Sequence, residues 1–180
     1  MENRFTPSSL PPIGTGCKMV SSAMILRIVP LLLAAVVAAF AQPKYSGPRP
    51  PKPDLPFLKH ADSLIPTEVA TAKEEKQKNN DILYVVEGAS SPAKTPLASP
   101  IFLIATEKLN PERLGLYKLE SKNGRREILF SQKKPPKPIR VELSRIADKL
   151  YRLEVGDSLE NGEYSLTPEG SNDVFCFQVY

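Results

Sequence analysis

Two stretches decide the fold: Leu159-Glu-Asn-Gly-Glu-Tyr-Ser-Leu166 and Val174-Phe-Cys-Phe-Gln-Val-Tyr180. Each is apolar and aromatic and a turn separates them, so they read as paired strands. Asn161-Gly162 turns a corner immediately before Tyr164. Upstream, Ile139, Val141 and Leu143 alternate with Arg140, Glu142 and Ser144, and Tyr151, Leu153 and Val155 alternate with Arg152 and Glu154. That period marks two half-buried strands joined by a turn around Ala147-Asp148. Leu116 to Lys122 and Arg125 to Ser131 flank Asn123-Gly124, the pair that accepts positive φ in a type I′ hairpin. A two-residue loop sets Leu119 opposite Ile128 and Tyr117 opposite Phe130 on one apolar face. The same register puts Glu120 opposite Glu127, a repulsion that Arg125 and Lys122 are placed to offset.

Ile101-Phe-Leu-Ile104 is a continuous apolar run, expected of a strand buried on both faces. Asn110-Pro111-Glu112 has the cap, proline and acid order that opens a helical turn, with room for one turn before Gly115. Residues 67–78 have a helical composition but offer nothing apolar after Ala72 for a helix to bury. With the Asn79-Asn80-Asp81 turn and the Ile82-Leu-Tyr-Val-Val86 strand behind them, residues 67–86 are read as a hairpin with a polar first strand. Gly88 to Pro100 and Gln132 to Pro138 are loops by composition.

Tyr164 lies near the start of the penultimate strand. This resembles the tyrosine corner of immunoglobulin-like sandwiches, whose hydroxyl bonds to backbone a few residues upstream; here the acceptor is expected within Gly156 to Leu159. Gly162-Glu163-Tyr164 with Phe175-Cys176-Phe177 also resembles the end of a group of exported bacterial proteins. That resemblance implies a β-sandwich and attaches no activity to any residue. The expected fold is therefore all-β, an antiparallel Ig-like β-sandwich of about eight or nine strands over residues 61–180.

Ahead of it, Ile28 to Ala41 is an uncharged apolar run of fourteen residues preceded by Arg27, with Ala39-Phe40-Ala41 as a small-x-small cleavage site. A span needs roughly 20 apolar residues, so residues 1–41 read as a signal peptide cleaved after Ala41 rather than an anchor. Met1 to Ser22 is long and polar for such a leader, so translation is expected to start at Met19 or Met24. Residues 42–60 hold six prolines and read as a disordered, semi-rigid spacer. The product would be secreted or periplasmic, with no stable membrane span after cleavage. Removing Arg4, Lys18 and Arg27 from 24 basic residues and Glu2 from 20 acidic ones leaves 21 against 19, about +2, too mild to imply a nucleic-acid partner. A monomer is expected.

The catalytic inventory is thin. His60 is the only histidine and ends the spacer, where a solvated loop residue is expected. Cys176 between Phe175 and Phe177 reads as a small packed side chain, and with Cys17 in the leader it has no disulfide partner. One histidine and one cysteine give no metal spacing, and Glu154, Asp157, Glu160 and Glu163 around Gly156 to Gly162 lack a calcium-loop pattern, so a solvated turn is expected there. No phosphate loop or hydrolase elbow is present, and no cofactor is implied. Two surface features could bind: Ser90, Ser91 and Thr95 in the polar loop, and Lys133, Lys134, Lys137 and Arg140 in the basic connection. The leading expectation is a non-catalytic exported module that binds or scaffolds at the envelope, meeting an envelope protein or an anionic polymer. The alternative is a small carboxylate-dependent hydrolase, which two acids converging in a cleft would favour.

Overall fold

The computed structural model describes residues 45–180; the leader and its cleavage site lie outside the described residues. The fold is all-β, with antiparallel sheets packed together, and the described residues form thirteen strands rather than eight or nine. The higher count comes from short strands that alternation cannot reveal. The first is β1 (Pro56–His60), paired with β2 (Ser63–Pro66). The expected spacer thus ends inside the domain. Leu55, Phe57 and Leu58 are buried, and the Asp54 carboxylate accepts the amides of Glu107, Lys108 and Leu109 at 2.8–3.1 Å. Burial works against its ionisation, but these three donors hold its carboxyl below the usual range. His60 is likewise not a free loop residue: it ends β1, and its Nε2 lies 2.8 Å from the Thr95 hydroxyl.

The following strands are β3 (Glu68–Thr71), β4 (Lys73–Lys76), β5 (Ile82–Glu87), β6 (Lys94–Thr95), β7 (Ile101–Ala105), β8 (Leu114–Lys122), β9 (Arg125–Phe130), β10 (Val141–Ala147), β11 (Leu150–Val155), β12 (Gly162–Pro168) and β13 (Asp173–Val179). The expected polar hairpin is β4 with β5, in the register Glu74↔Tyr84. Asn110 caps the single turn Pro111–Arg113 by accepting from the Glu112 amide at 3.0 Å. Asn123 and Gly124 have φ of 53° and 77°, the type I′ pair. The register sets Glu120 opposite Glu127, and Arg125 offsets Glu127 from 3.2 Å. Only three pairs form before this ladder stops. Beyond it the β8 edge bonds instead to Ile139, whose amide donates to the Leu116 carbonyl at 2.8 Å.

One sheet runs β10-β11-β7-β1-β2. Its central strand β7 buries Phe102, Leu103 and Ile104, on both faces as its composition predicts. The other runs β3-β13-β12-β8-β9-β5-β4, with β6 parallel to β13. Its two ends are consecutive pieces of chain: β3 pairs with β13, β4 pairs with β5, and only Ala72 stands between them. The sheet therefore bends round into a barrel of six staves, with β3 and β4 together making one and the β8–β9 seam hydrogen-bonded only beside its hairpin. The outer wall of β8, β12 and β13 packs on the five-stranded sheet. That main core includes Leu116, Tyr164, Leu166 and Phe177 against Phe57, Phe102, Ile104 and Leu153, with the Phe102 and Phe177 rings 5.0 Å apart, edge to face. Among the described residues no helix is long and apolar enough to cross a membrane.

Candidate functional site

Alternation gives each stave a second set of residues pointing into the barrel. On β12 these are Glu163, Ser165 and Thr167; on β13, Val174 and Cys176; on β8, Tyr117 and Leu119. Those on β9 are Arg126, Ile128 and Phe130, those on β5 are Tyr84 and Val86, and the split stave gives Glu68, Ala70, Ala72 and Glu74. A second apolar cluster lies here, built on Ala72, Val86, Leu119, Val174 and Cys176. Along the bore the composition changes from an aromatic mouth, through an apolar middle, to a charged plug.

The plug is centred on Arg126, whose side chain is 0% exposed. Its two terminal nitrogens donate to both oxygens of Glu68 at 2.6 and 3.0 Å. Nε and Nη2 also donate to the carbonyls of Gly88 and Glu87, at 3.0 and 2.7 Å. Gly88 has φ of 86°, which turns the chain leaving β5 back across the barrel end. The loop is tied down there: the Ser91 amide donates to Glu163 Oε2 at 2.9 Å, the Ser91 hydroxyl to the Cys176 carbonyl at 3.2 Å, and the Ser121 hydroxyl to the Ala89 carbonyl at 2.6 Å. Cys176 is fully buried, and burial pushes its thiol up to about 12. Burial therefore favours the protonated thiol, packed among the inward side chains of the barrel.

Glu163 is the unusual member. It was expected on a solvated turn, yet it is 4% exposed and its Oε1 has no hydrogen-bond partner. It lies on the inward parity of β12, one residue before the outward Tyr164. Arg126 stands 3.9 Å from Glu163 and makes no hydrogen bond to it, so burial dominates and raises its carboxyl above the usual range. Glu68 is opposite: burial works against its charge too, but the bidentate bond from Arg126 prevails and lowers it. Stability held by Glu68 is present above the ordinary value of 4.5 and lost as pH falls through its lowered pKa. Stability limited by Glu163 decreases as pH rises from 4.5 through its raised pKa. At neutral pH Glu163→Gln is expected to match or exceed the wild type in urea denaturation, whereas Glu68→Gln loses about 1.5–3 kcal/mol. Equal losses in the two variants would contradict this assignment.

The other half of the bore is unfilled. A cavity of about 410 Å³ opens there, within the roughly 300–1,000 Å³ usual for small-molecule sites. It exists because the side chains facing it include small ones, Ala72, Gly115, Ser165 and Thr167, while Leu119, Val86, Ile128 and Val174 line its apolar depth. Tyr84, Phe130 and Tyr117, on three neighbouring staves, form an aromatic half-belt at the mouth. Their ring centroids are 5.2 Å apart for Tyr84 and Phe130 and 5.6 Å for Tyr117 and Phe130. A Cβ on Gly115 would stand 2.7 Å from the Tyr117 ring, so glycine lets that ring lie along its own stave. The hydroxyls of Ser165 and Thr167 lie 3.3 Å apart on the β12 wall.

None of the sequence-predicted binding residues lines this cavity. Ser91 and Thr95 are buried, with hydroxyls engaged inside the domain, and Ser90 is exposed. Lys133, Lys134, Lys137 and Arg140 are exposed on the connection to β10; Arg140 pairs with Glu142 at 3.3 Å. Among the described residues no group of acids, histidines and cysteines could hold a metal ion. Comparison with family models, with curated proteins and with solved structures finds no match.

Proposed function

We propose that this chain is an exported, non-catalytic binding module of the cell envelope whose barrel takes up one small, mostly apolar molecule. The observation that carries the reading is the cavity of about 410 Å³ in a bore that side chains could have filled. Export rests on the leader, with its short uncharged apolar run and small-x-small site. A carboxylate hydrolase needs two acids at a cleft. Glu68 and Glu163 converge at the plugged end, on Arg126, and do not line the cavity; the two acids that do, Glu74 and Glu169, are exposed at its mouth, where Glu169 faces Arg113 at 3.7 Å. That separation favours binding over hydrolysis.

The test is titration of the purified protein with N-phenyl-1-naphthylamine, a neutral dye that fluoresces in apolar surroundings. One saturable site is expected. Val174→Phe pushes a ring into the bore from β13 and should weaken dye binding at least about tenfold, roughly 1.4 kcal/mol, without lowering the melting temperature. Unchanged binding in that variant would place the dye elsewhere and defeat the reading.

A further inference from the structure

We infer that the molecule taken up by the bore is an organic cation: a protonated amine carried on a small, flat apolar body. The inference rests on the binding reading above and adds the charge of the ligand. The charged residues lining the cavity are Glu74, Arg113 and Glu169. Arg113 and Glu169 face each other at 3.7 Å, which leaves Glu74. Among the described residues Glu74 makes no ion pair; its carboxylate accepts from the Asn172 side-chain amide at 3.1 Å and lies beside the Tyr84 hydroxyl, both neutral partners. The mouth therefore keeps one uncompensated negative charge, on a chain whose net charge is +4.

That charge stands beside aromatic rings. Glu74 is the register partner of Tyr84, and the Tyr84 and Tyr117 rings meet Phe130 at 80° and 60°. The three rings line the cavity with their planes steeply inclined to one another. An ammonium group is attracted by aromatic faces and by the carboxylate together, while the apolar body of the ligand occupies the depth behind. A carboxylate ligand meets neither attraction. The lining offers it no lysine, and the sole arginine is already paired. Because the mouth is open to water, the cation preference should be modest, about tenfold, and should shrink as salt is added.

The chain contains no tryptophan, so indole fluorescence reports the ligand alone. Three indoles share one ring and a two-carbon arm and differ in the group that ends it: a cation in tryptamine, only a neutral hydrogen in 3-ethylindole and an anion in indole-3-propionate. Fluorescence anisotropy with the purified protein should rank tryptamine about tenfold tighter than indole-3-propionate, with 3-ethylindole between them. In Glu74→Gln, whose side chain still accepts from Asn172, the ratio of tryptamine to 3-ethylindole affinity should fall to about one. Equal affinity for all three ligands overturns the cation inference and leaves the binding reading standing. A tryptamine preference that survives Glu74→Gln overturns it as well. If none of the three binds, 3-ethylindole included, both readings fail.

Discussion

Arg126→Ala is expected to cost about 3–5 kcal/mol, because it leaves two carboxylates facing each other at the plugged end with no cation between them. The carbonyls of Glu87 and Gly88 lose their donor in the same step. Against a usual total of roughly 5–15 kcal/mol, the variant should be barely folded at neutral pH. Its deficit should shrink in acid. Without the arginine both glutamates would have folded pKa values above the unfolded value, so the folded state would gain protons as pH falls. Replacing all three charged groups at once, as Arg126→Met with Glu68→Leu and Glu163→Leu, should recover most of the loss, since an apolar set of similar volume is often as stable as a buried ion cluster. Urea midpoints of the single and triple variants measure this. A single variant that unfolds at the wild-type midpoint would mean that the plug holds nothing together.

Tyr164 carries the second large effect. Its ring is 1% exposed and stacks on Phe177 with centroids 5.6 Å apart. Its hydroxyl donates to the Glu160 carbonyl at 2.8 Å, one residue beyond the stretch in which the acceptor was expected. The corner thus bends the chain from the turn at Asn161-Gly162 into β12. Tyr164→Phe keeps the ring and removes one hydrogen bond at a partly exposed corner, a loss of about 1 kcal/mol. Tyr164→Ala opens a cavity between barrel and sheet and should cost about 3–5 kcal/mol. Chemical denaturation should show the two variants well separated. Equal midpoints would put the ring outside the core.

The strands of this fold were legible wherever one face met the main core. Alternation marks β10 and β11, Asn123-Gly124 marks the hairpin, and Tyr164 marks its corner, because each is a local rule satisfied locally. Barrel closure was not legible, since it depends on one run that serves two partners. Glu68, Ala70, Ala72 and Glu74 face inward while Val69 is 62% exposed, which inverts the ordinary pattern of apolar in and polar out. The bore side of β12, Glu163-x-Ser165-x-Thr167, reads as a solvent face for the same reason. Arg126 hides between Arg125 and Glu127, where a run of charges suggests a solvated edge. The available signal was the rest of its own face of β9: Ile128 and Phe130 share the parity of Arg126, so an arginine there points where the apolar residues point.

The cavity is the product of these inversions, small or polar residues on inward positions of the barrel, and it is the place where the protein is proposed to bind. The direct measurement is amide chemical-shift mapping of the labelled protein titrated with 3-ethylindole. Saturable shifts are predicted at Tyr84, Tyr117, Leu119, Ile128, Thr167 and Val174, with β2 and β10 of the five-stranded sheet unchanged. Shifts gathered instead on that sheet or on the basic connection Gln132 to Pro138, or no saturable shifts at all, would contradict it.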